Sequence, residues 1–152
     1  RKWSKVGLRG SHEAKIDDKG RLKIPSQFRD HLEPRYGPIF FITSLDGETA
    51  RLYPLPEWEA IESRLAAMPS TDPVRERFLH IVNYFGQTVE MDAQGRVLLP
   101  ARLRAAAELT ADVDVQGHVN YLVVMNRERS ATRTLSGALS AEDKQRLTTF
   151  GI

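Results

Sequence analysis

Apolar and polar residues alternate along two short stretches near the start of the chain, and this pattern predicts a β-hairpin. Residues 11–16 alternate weakly, whereas in Arg21–Ile24 the apolar Leu22 and Ile24 fall on one face and the basic residues fall on the other. The intervening Asp17–Gly20 has the composition of a tight turn, because Asp accepts backbone N–H groups two or three residues on and Gly tolerates a positive φ.

The rest of the chain alternates between short apolar strands and amphipathic helices. In the first half the pattern predicts a helix over Ser26–Glu33, strands over Ile39–Thr43 and Ala50–Tyr53, and helices over 57–67 and 73–83. In the second half it predicts strands over Gln87–Met91 and Arg96–Leu99, a helix over Pro100–Leu109, strands over Val113–Gln116 and Tyr121–Met125, and a helix from Ser140 to about Thr148. Residues 126–139 have no clear period and are predicted to be partly helical or loose.

The hairpin sequence occurs twice, which predicts an internally repeated fold. Asp17-Asp18-Lys19-Gly20-Arg21 and Asp92-Ala93-Gln94-Gly95-Arg96 both read Asp-x-x-Gly-Arg, and the offset between them is 75 residues. Each copy continues to a Pro and a helix, and the match extends to Phe28-Arg29 and Leu103-Arg104. We therefore expect two repeats in one intertwined globular domain, 9–85 and 86–152, related by a pseudo-twofold axis that suits a twofold ligand such as duplex DNA.

Composition narrows the class of protein. The 152 residues are 41% hydrophobic, enough for the core of one domain. No apolar run approaches the ~20 residues of a membrane helix, and no signal peptide is predicted, so no membrane partner is expected. The absence of cysteine excludes disulfides and thiolate metal sites and is consistent with the cytosol.

Positive charge is concentrated at the start of the chain. The net charge is only +2, but residues 1–36 contain ten Lys/Arg against five Asp/Glu. Residues 1–8 are predicted to be a basic N-terminal arm, and with Arg9 they form a run without an acidic residue. Such a segment attracts polyanions such as nucleic acid, although a solvated tail has the same composition.

The repeated turn carries a pattern suited to phosphate or base recognition. Asp can brace the turn and also pair with the Arg four residues later, which would orient the guanidinium while leaving N–H donors free. Such a fork suits phosphate oxygens or the O6/N7 edge of guanine. The candidate DNA-binding residues are Asp17, Lys19, Arg21, Lys23, Lys15, Asp92 and Arg96. The alternative is that each Asp–Arg pair only braces its hairpin.

The residues give less support to a catalytic site, a metal site or a nucleotide-binding loop. Asp17 and Asp92 could meet as a carboxylate pair, but a neighbouring Arg favours the ionised form, whereas an aspartic-protease pair must share a proton. The four histidines show no ligand spacing, and no Gly-rich phosphate loop is present. We therefore expect no enzyme activity, no metal, no cofactor and no small-molecule substrate.

The sequence resembles that of a known family, MraZ, whose members contain two tandem AbrB-like hairpin units. The resemblance rests on Arg9-Gly10-Ser11, on Ile16 to Pro25, on Leu52-Tyr53-Pro54-Leu55-Pro56-Glu57-Trp58 and on Met91 to Pro100, and it covers roughly residues 9–125. The chain departs from the family in its first eight residues and in Arg127–Gly137, which lacks an expected Trp.

The resemblance implies an α+β fold, a double-split, partly open β-barrel of swapped-hairpin type with packed helices. It implies a transcriptional regulator, with a repressor role expected here, that binds direct repeats in promoters of the division and cell-wall gene cluster. It further implies a ring-shaped homo-oligomer of the octamer or dodecamer class, in the cytoplasm and at the nucleoid. The repeated Asp17 with Arg21 and Asp92 with Arg96 would belong to the DNA-binding motif.

Two alternatives remain open at this stage. AbrB-like modules also serve as antitoxins, although those usually supply the second hairpin by dimerising. An oligomeric scaffold without DNA binding is also possible, because the apolar stripes of helices 57–67 and 73–83 could form either core or subunit interface.

Overall fold

A nearly closed barrel of eight antiparallel strands, with six helices around it, forms the body of the protein. This computed structural model describes residues 7–152, so most of the predicted basic arm lies outside the described residues. The α+β class and the barrel predicted from the resemblance are therefore confirmed.

Each half of the chain contributes four strands and three helices. The strands are β1 Ser11–Ile16, β2 Arg21–Lys23, β3 Ile39–Thr43, β4 Ala50–Pro54, β5 Gln87–Glu90, β6 Arg96–Leu98, β7 Ala111–Gly117 and β8 Leu122–Asn126. The helices are α1 Ser26–Tyr36, α2 Leu55–Ala67, α3 Pro73–Phe85, α4 Ala101–Ala106, α5 Arg127–Ser136 and α6 Ala141–Thr148.

The strand order interleaves the two halves of the chain. It runs β5-β3-β4-β8-β7-β1-β2-β6, and all pairs are antiparallel. Strands β1 to β4 correspond to strands β5 to β8. The pairing of β1 with β7 therefore has its counterpart in the pairing of β5 with β3, whereas β2 and β4 pair with their own counterparts, β6 and β8. Neither half can complete the sheet alone, as a swapped pseudo-twofold arrangement requires. The domain boundary near residue 85 stays a prediction.

The barrel interior is filled by inward-facing side chains from both halves. Leu22, Val97, Phe40 and Leu122 are fully buried there. Helices α1 and α4 add further apolar side chains to the same core, with Leu32 and Leu103 completely covered. Because the side chains of a strand alternate between its two faces, burial of Leu22 leaves its basic neighbours outside.

A second apolar cluster lies outside the barrel, where α2 and α3 cover β3 and β4. Trp58 is 3% exposed and stacks on Phe41 with ring centroids 4.6 Å apart, and Tyr53 and Val82 complete the cluster. At Trp58, the apolar stripe of helix 57–67 therefore belongs to the core of the chain.

The second half also ends in two helices, one of which was not clear from the sequence. The stretch predicted as partly helical or loose contains α5, which starts directly after β8 where the Asn126 side chain accepts the backbone N–H of Arg129. Conversely, α4 ends earlier than the predicted Leu109, because Glu108 takes a φ of +53° that turns the chain out of the helix. No helix in residues 7–152 is long and apolar enough to span a membrane.

We expect Leu22→Ala to destabilise the protein by about 2–5 kcal/mol, because it removes a completely buried side chain between the two halves. Urea denaturation measures the change. Leu135→Ala is the control, since Leu135 is 87% exposed and should leave the midpoint unchanged. Equal midpoints for both variants would contradict the central position of Leu22.

Candidate nucleic-acid interface

The first repeated turn is built around the carboxylate of Asp17. Its Oδ1 accepts the backbone N–H groups of Lys19 at 3.0 Å and of Arg21 at 2.9 Å. The backbone N–H of Gly20 donates to the Asp17 carbonyl oxygen at 3.0 Å, and Gly20 has a φ of +86° that a side chain would disfavour. The Asp and the Gly of the motif are therefore both required by the turn itself.

The second turn repeats this geometry closely. Oδ1 of Asp92 accepts the backbone N–H groups of Gln94 at 2.9 Å and of Arg96 at 2.8 Å, and Gly95 has a φ of +80°. Because the same donors meet the same acceptor in both copies, the sequence repeat is also a structural repeat.

Each Asp also orients its Arg. Nε of Arg21 donates to Oδ2 of Asp17 at 2.8 Å, and Nε of Arg96 donates to Oδ2 of Asp92 at 2.9 Å. The outer nitrogens of both guanidinium groups have no hydrogen-bond partner within residues 7–152, and both side chains are about one-third exposed. The turns thus hold two planar cations with free donors.

The pKa shifts of Asp17 and Asp92 agree with carboxylates that accept hydrogen bonds from their own turn and arginine. The backbone N–H of Arg21 is the largest cause that lowers the pKa of Asp17 from its ordinary value, and the Arg21 side chain lowers it further. The pKa of Asp92 is lowered in the same way by Arg96. Both carboxylates are therefore held ionised, each within its own turn, which is opposite to what a proton-sharing catalytic pair requires.

Strands β2 and β6 place both arginines on one outer surface. The register sets Leu22 opposite Val97 in the core, so Arg21 opposite Leu98 and Lys23 opposite Arg96 face outward. Arg21 and Arg96 are diagonal neighbours in this pairing, with Cα atoms roughly 7–8 Å apart. We call the outward side chains of these two strands, with Lys19, the β2/β6 ribbon.

Backbone hydrogen bonds join each turn to the opposite half. The N–H of Leu99 donates to the carbonyl oxygen of Gly20 at 3.0 Å, and the N–H of Ile24 donates to that of Gly95 at 2.9 Å. These reciprocal bonds set the position of one turn relative to the other, so the spacing of the two arginines depends on the tertiary fold.

Two further arginines, which the sequence reasoning did not select, support the turns. Nη2 of Arg29 on α1 donates to the carbonyl oxygen of Ala93 at 2.9 Å, in the turn of the other half. Arg104 on α4 lies against Gly20, where an added Cβ would be 2.4 Å from its Cζ atom. The shared Phe-Arg and Leu-Arg positions of the repeat were the signal that could have identified them.

The three candidate lysines differ in how free they are. Lys19 and Lys23 are exposed and form no ion pair within the described residues. Lys15 lies on β1 and is 81% exposed, but its Nζ is 2.8 Å from Oδ1 of Asp112 on β7. Lys15 is thus partly neutralised, and its share in binding an anion should be the smallest of the three.

The β2/β6 ribbon has the hydrogen-bond donors to contact a nucleic acid backbone or a base edge. A two-stranded ribbon fits the major groove of duplex DNA, and a braced guanidinium presents its donors in the plane that phosphate or guanine requires. No group of three or more possible metal-ligating side chains occurs in residues 7–152.

We expect the double variant Asp17→Asn/Asp92→Asn to be less sensitive to acid than the wild type. A lowered folded-state pKa contributes stability above the unfolded value, about 3.9 for Asp, and this contribution is lost as the pH falls through the folded pKa. Urea midpoints at pH 7 and pH 3 measure the loss. Asp18→Asn is the control, because Asp18 is exposed and forms no hydrogen bond in the described part of the chain. An equal acid loss in the double variant and the wild type would contradict this account.

Comparison with known proteins places the two repeats in one family. The family model described as "MraZ protein", with a further description as antitoxin-like, matches residues 8–81 and 86–147. A relative from Acidobacterium capsulatum named "Transcriptional regulator MraZ" is 49% identical over 145 residues, covering 95% of this chain and 99% of its own. A relative of the same name from Koribacter versatilis is 48% identical with the same coverage.

A more distant relative from Chromobacterium violaceum, also named "Transcriptional regulator MraZ", is 39% identical over 78% of this chain and 80% of its own. The family match spans both halves of the barrel, including both Asp-x-x-Gly-Arg turns. The chain therefore belongs to the MraZ family, as its repeated hairpins predicted.

Proposed function

We propose that this protein is a sequence-specific DNA-binding transcriptional regulator and that the β2/β6 ribbon is its DNA-contacting surface. The observation that carries the proposal is the pair of braced guanidinium groups of Arg21 and Arg96, which lie side by side on one exposed ribbon. The names of the relatives, all transcriptional regulators in the comparisons above, support it.

The ribbon has the charge and shape that a duplex requires. Lys19, Lys23 and the free donors of the two arginines offer cations to phosphates, and neutralising phosphates releases counterions from DNA. In β-ribbon DNA-binding proteins, strands enter a groove and a few side chains reach base edges. The second turn carries Gln94 and Leu98 where the first carries Lys19 and Lys23, so the first should contribute more phosphate affinity.

The targets follow from the family resemblance. We propose that the protein binds direct repeats in the promoters of the division and cell-wall gene cluster, including its own, and represses by excluding polymerase. It would act in the cytoplasm, at the nucleoid, without enzymatic activity. Copies would join in a ring-shaped homo-oligomer, so that several ribbons engage successive DNA repeats, each contact being weak alone.

The two alternatives make different predictions. A scaffold without DNA binding would show no salt-dependent affinity for promoter DNA, whereas a regulator would lose affinity steeply as salt rises. An antitoxin of the usual kind obtains its second hairpin from another chain, whereas here both hairpins of the barrel come from one chain. The regulator is therefore the function that the geometry supports best.

We expect Arg21→Ala to weaken binding to the protein's own upstream DNA by about 1–3 kcal/mol if the guanidinium reads a base, which is about 5- to 150-fold in Kd. Arg96→Ala tests the second turn in the same way. Gel shifts over a salt series measure both, and Arg21→Lys separates the planar fork from its charge.

The control for these arginine variants is Arg133→Ala, which removes an exposed arginine on α5, away from the ribbon. It should bind as the wild type does. Wild-type affinity in both Arg21→Ala and Arg96→Ala would show that the ribbon is not the DNA-binding surface.

We also expect DNA with three correctly spaced repeats to bind about 100- to 10,000-fold more tightly than DNA with one, because later contacts form at high effective concentration. Titration of both DNAs at equal salt measures the ratio. A third DNA keeps three repeats but shifts one by half a helical turn, which should remove most of the gain. Equal affinity for all three would exclude multivalent binding.

A further inference from the structure

The helix that follows the last strand of each half has a different side chain at its buried position. Helix α2 follows β4 directly and has Trp58 as its fourth residue, whereas α5 follows β8 directly and has Ser130 as its fourth residue. Trp58 is 3% exposed and Ser130 is 6% exposed. The second half therefore has a buried hydroxyl where the first half has an indole ring.

A polar pocket of about 270 Å³ lies beside Ser130, between α5 and the outer face of the sheet. At the corresponding place in the first half, Trp58 stacks on Phe41 and lies against Tyr53, with ring centroids 4.6 and 5.0 Å apart. The much smaller serine leaves this space open in the second half. Most ligand pockets start at about 300 Å³, so the size fits a small molecule.

Three neighbouring strands form the floor of the pocket. The register pairs Arg51 of β4 with Val123 of β8, and it pairs Val123 with Gln116 of β7. These three side chains therefore lie side by side and line the pocket, and α5 adds Ser130 and Arg133 from above. Residues from three strands and one helix thus meet at one place.

Several hydrogen-bond donors in the pocket are unused. Nη1 of Arg51 donates to the Tyr53 hydroxyl at 2.9 Å, and the Tyr121 ring centroid lies 5.0 Å from its Cζ atom. The other guanidinium nitrogens of Arg51 form no hydrogen bond within residues 7–152. In the same part of the chain, Arg133 forms no hydrogen bond or ion pair, and the Ser130 hydroxyl has no partner. One guanidinium is thus held in place while most of its donors stay free.

The pocket has a net positive charge. Arg51 and Arg133 contribute two positive charges, and Asp46 at one end contributes a negative charge. Oδ1 of Asp46 already accepts two backbone N–H groups of its own loop, at 2.9 and 3.1 Å. Partial burial lowers the pKa of His118 from its ordinary value, and Arg51 lowers it further, so this ring adds no charge at pH 7. An anion is therefore the expected ligand.

We propose that this pocket binds the phosphate group of a small phosphorylated molecule, through Arg51, Arg133 and Ser130. A carboxylate is planar, and one guanidinium fork satisfies it. Two guanidinium groups and a hydroxyl, supplied by a strand and a helix, instead suit the three acceptor oxygens of a phosphate group. Val123 and Met125, each 7% exposed, offer apolar surface to the rest of the molecule.

The phosphate pocket is remote from the β2/β6 ribbon, because β7 and β1 lie between β8 and β2 in the sheet. The inference therefore goes beyond the proposed function and uses none of the DNA-binding residues. Arg133→Ala stays a control for DNA binding, since the gel shifts contain no small phosphorylated molecule.

NMR of the methionine methyl groups tests the phosphate pocket, because the three methionines of the chain lie in three different places. Met125 lines the pocket, Met91 lies in the barrel core, and Met68 lies between α2 and α3. With ¹³C-labelled methyl groups, inorganic phosphate at constant ionic strength should shift the Met125 signal until it saturates. The other two signals should stay unchanged. No shift of Met125, or equal shifts of all three signals, would overturn the proposal.

Two variants test which residues hold the phosphate. Arg133→Gln should raise the Kd for inorganic phosphate at least about tenfold, because a hydrogen bond between charged groups is lost. Arg77→Gln is the matched control, since Arg77 on α3 is exposed and forms no hydrogen bond or ion pair in the described chain. It should bind phosphate as the wild type does.

Ser130→Trp introduces the side chain that the first half has at this position, and it should abolish phosphate binding by filling the pocket. An unchanged circular dichroism spectrum would show that the variant is folded. If it does not fold, the Arg133→Gln titration decides by itself. Wild-type Kd in Arg133→Gln, or in folded Ser130→Trp, would overturn the proposal.

Malonate tests the class of ligand, because it carries two negative charges on planar carboxylates. Phosphate should bind at least about tenfold more tightly than malonate at the same ionic strength. Equal affinity would overturn the assignment to phosphate.

The ribbon arginines can also attract phosphate, so the double variant Arg21→Ala/Arg96→Ala is titrated as well. It should keep the full shift of the Met125 signal and the wild-type Kd. Loss of the shift in this variant would place the bound phosphate at the ribbon and overturn the proposal.

Discussion

The pairing of β2 with β6 is the contact on which the rest of the structure depends. Its inner face contributes Leu22 and Val97 to the core, and its outer face aligns Arg21 with Arg96. Because one register decides both faces, a slip by one residue would expose the core side chains and bury the arginines. Stability and the candidate DNA surface therefore share a single structural cause.

The pseudo-twofold symmetry holds for the two turns, but not for the charges beside them or for the packing of the last helix in each half. The two turns share the same hydrogen bonds, because an Asp acceptor and a Gly at positive φ are needed in each. The lysines of the first turn have no counterparts in the second, and α6 lacks the packing of α3. The ribbon thus uses the two halves unequally, with more positive charge in the first.

The sequence by itself determined the repeated turns, the order of the strands, five of the six helices in residues 7–152 and the family. The turns can be predicted locally because Asp-x-x-Gly-Arg acts through bonds within five residues. It did not show α5, which contains few apolar residues and whose start depends on the Asn126 cap. Only the tertiary structure decided that Arg21 and Arg96 share one surface, that Lys15 is paired with Asp112, and that Arg29 and Arg104 support the opposite turn. Those relations join residues far apart in the chain, and such distances are set by strand pairing rather than by local pattern.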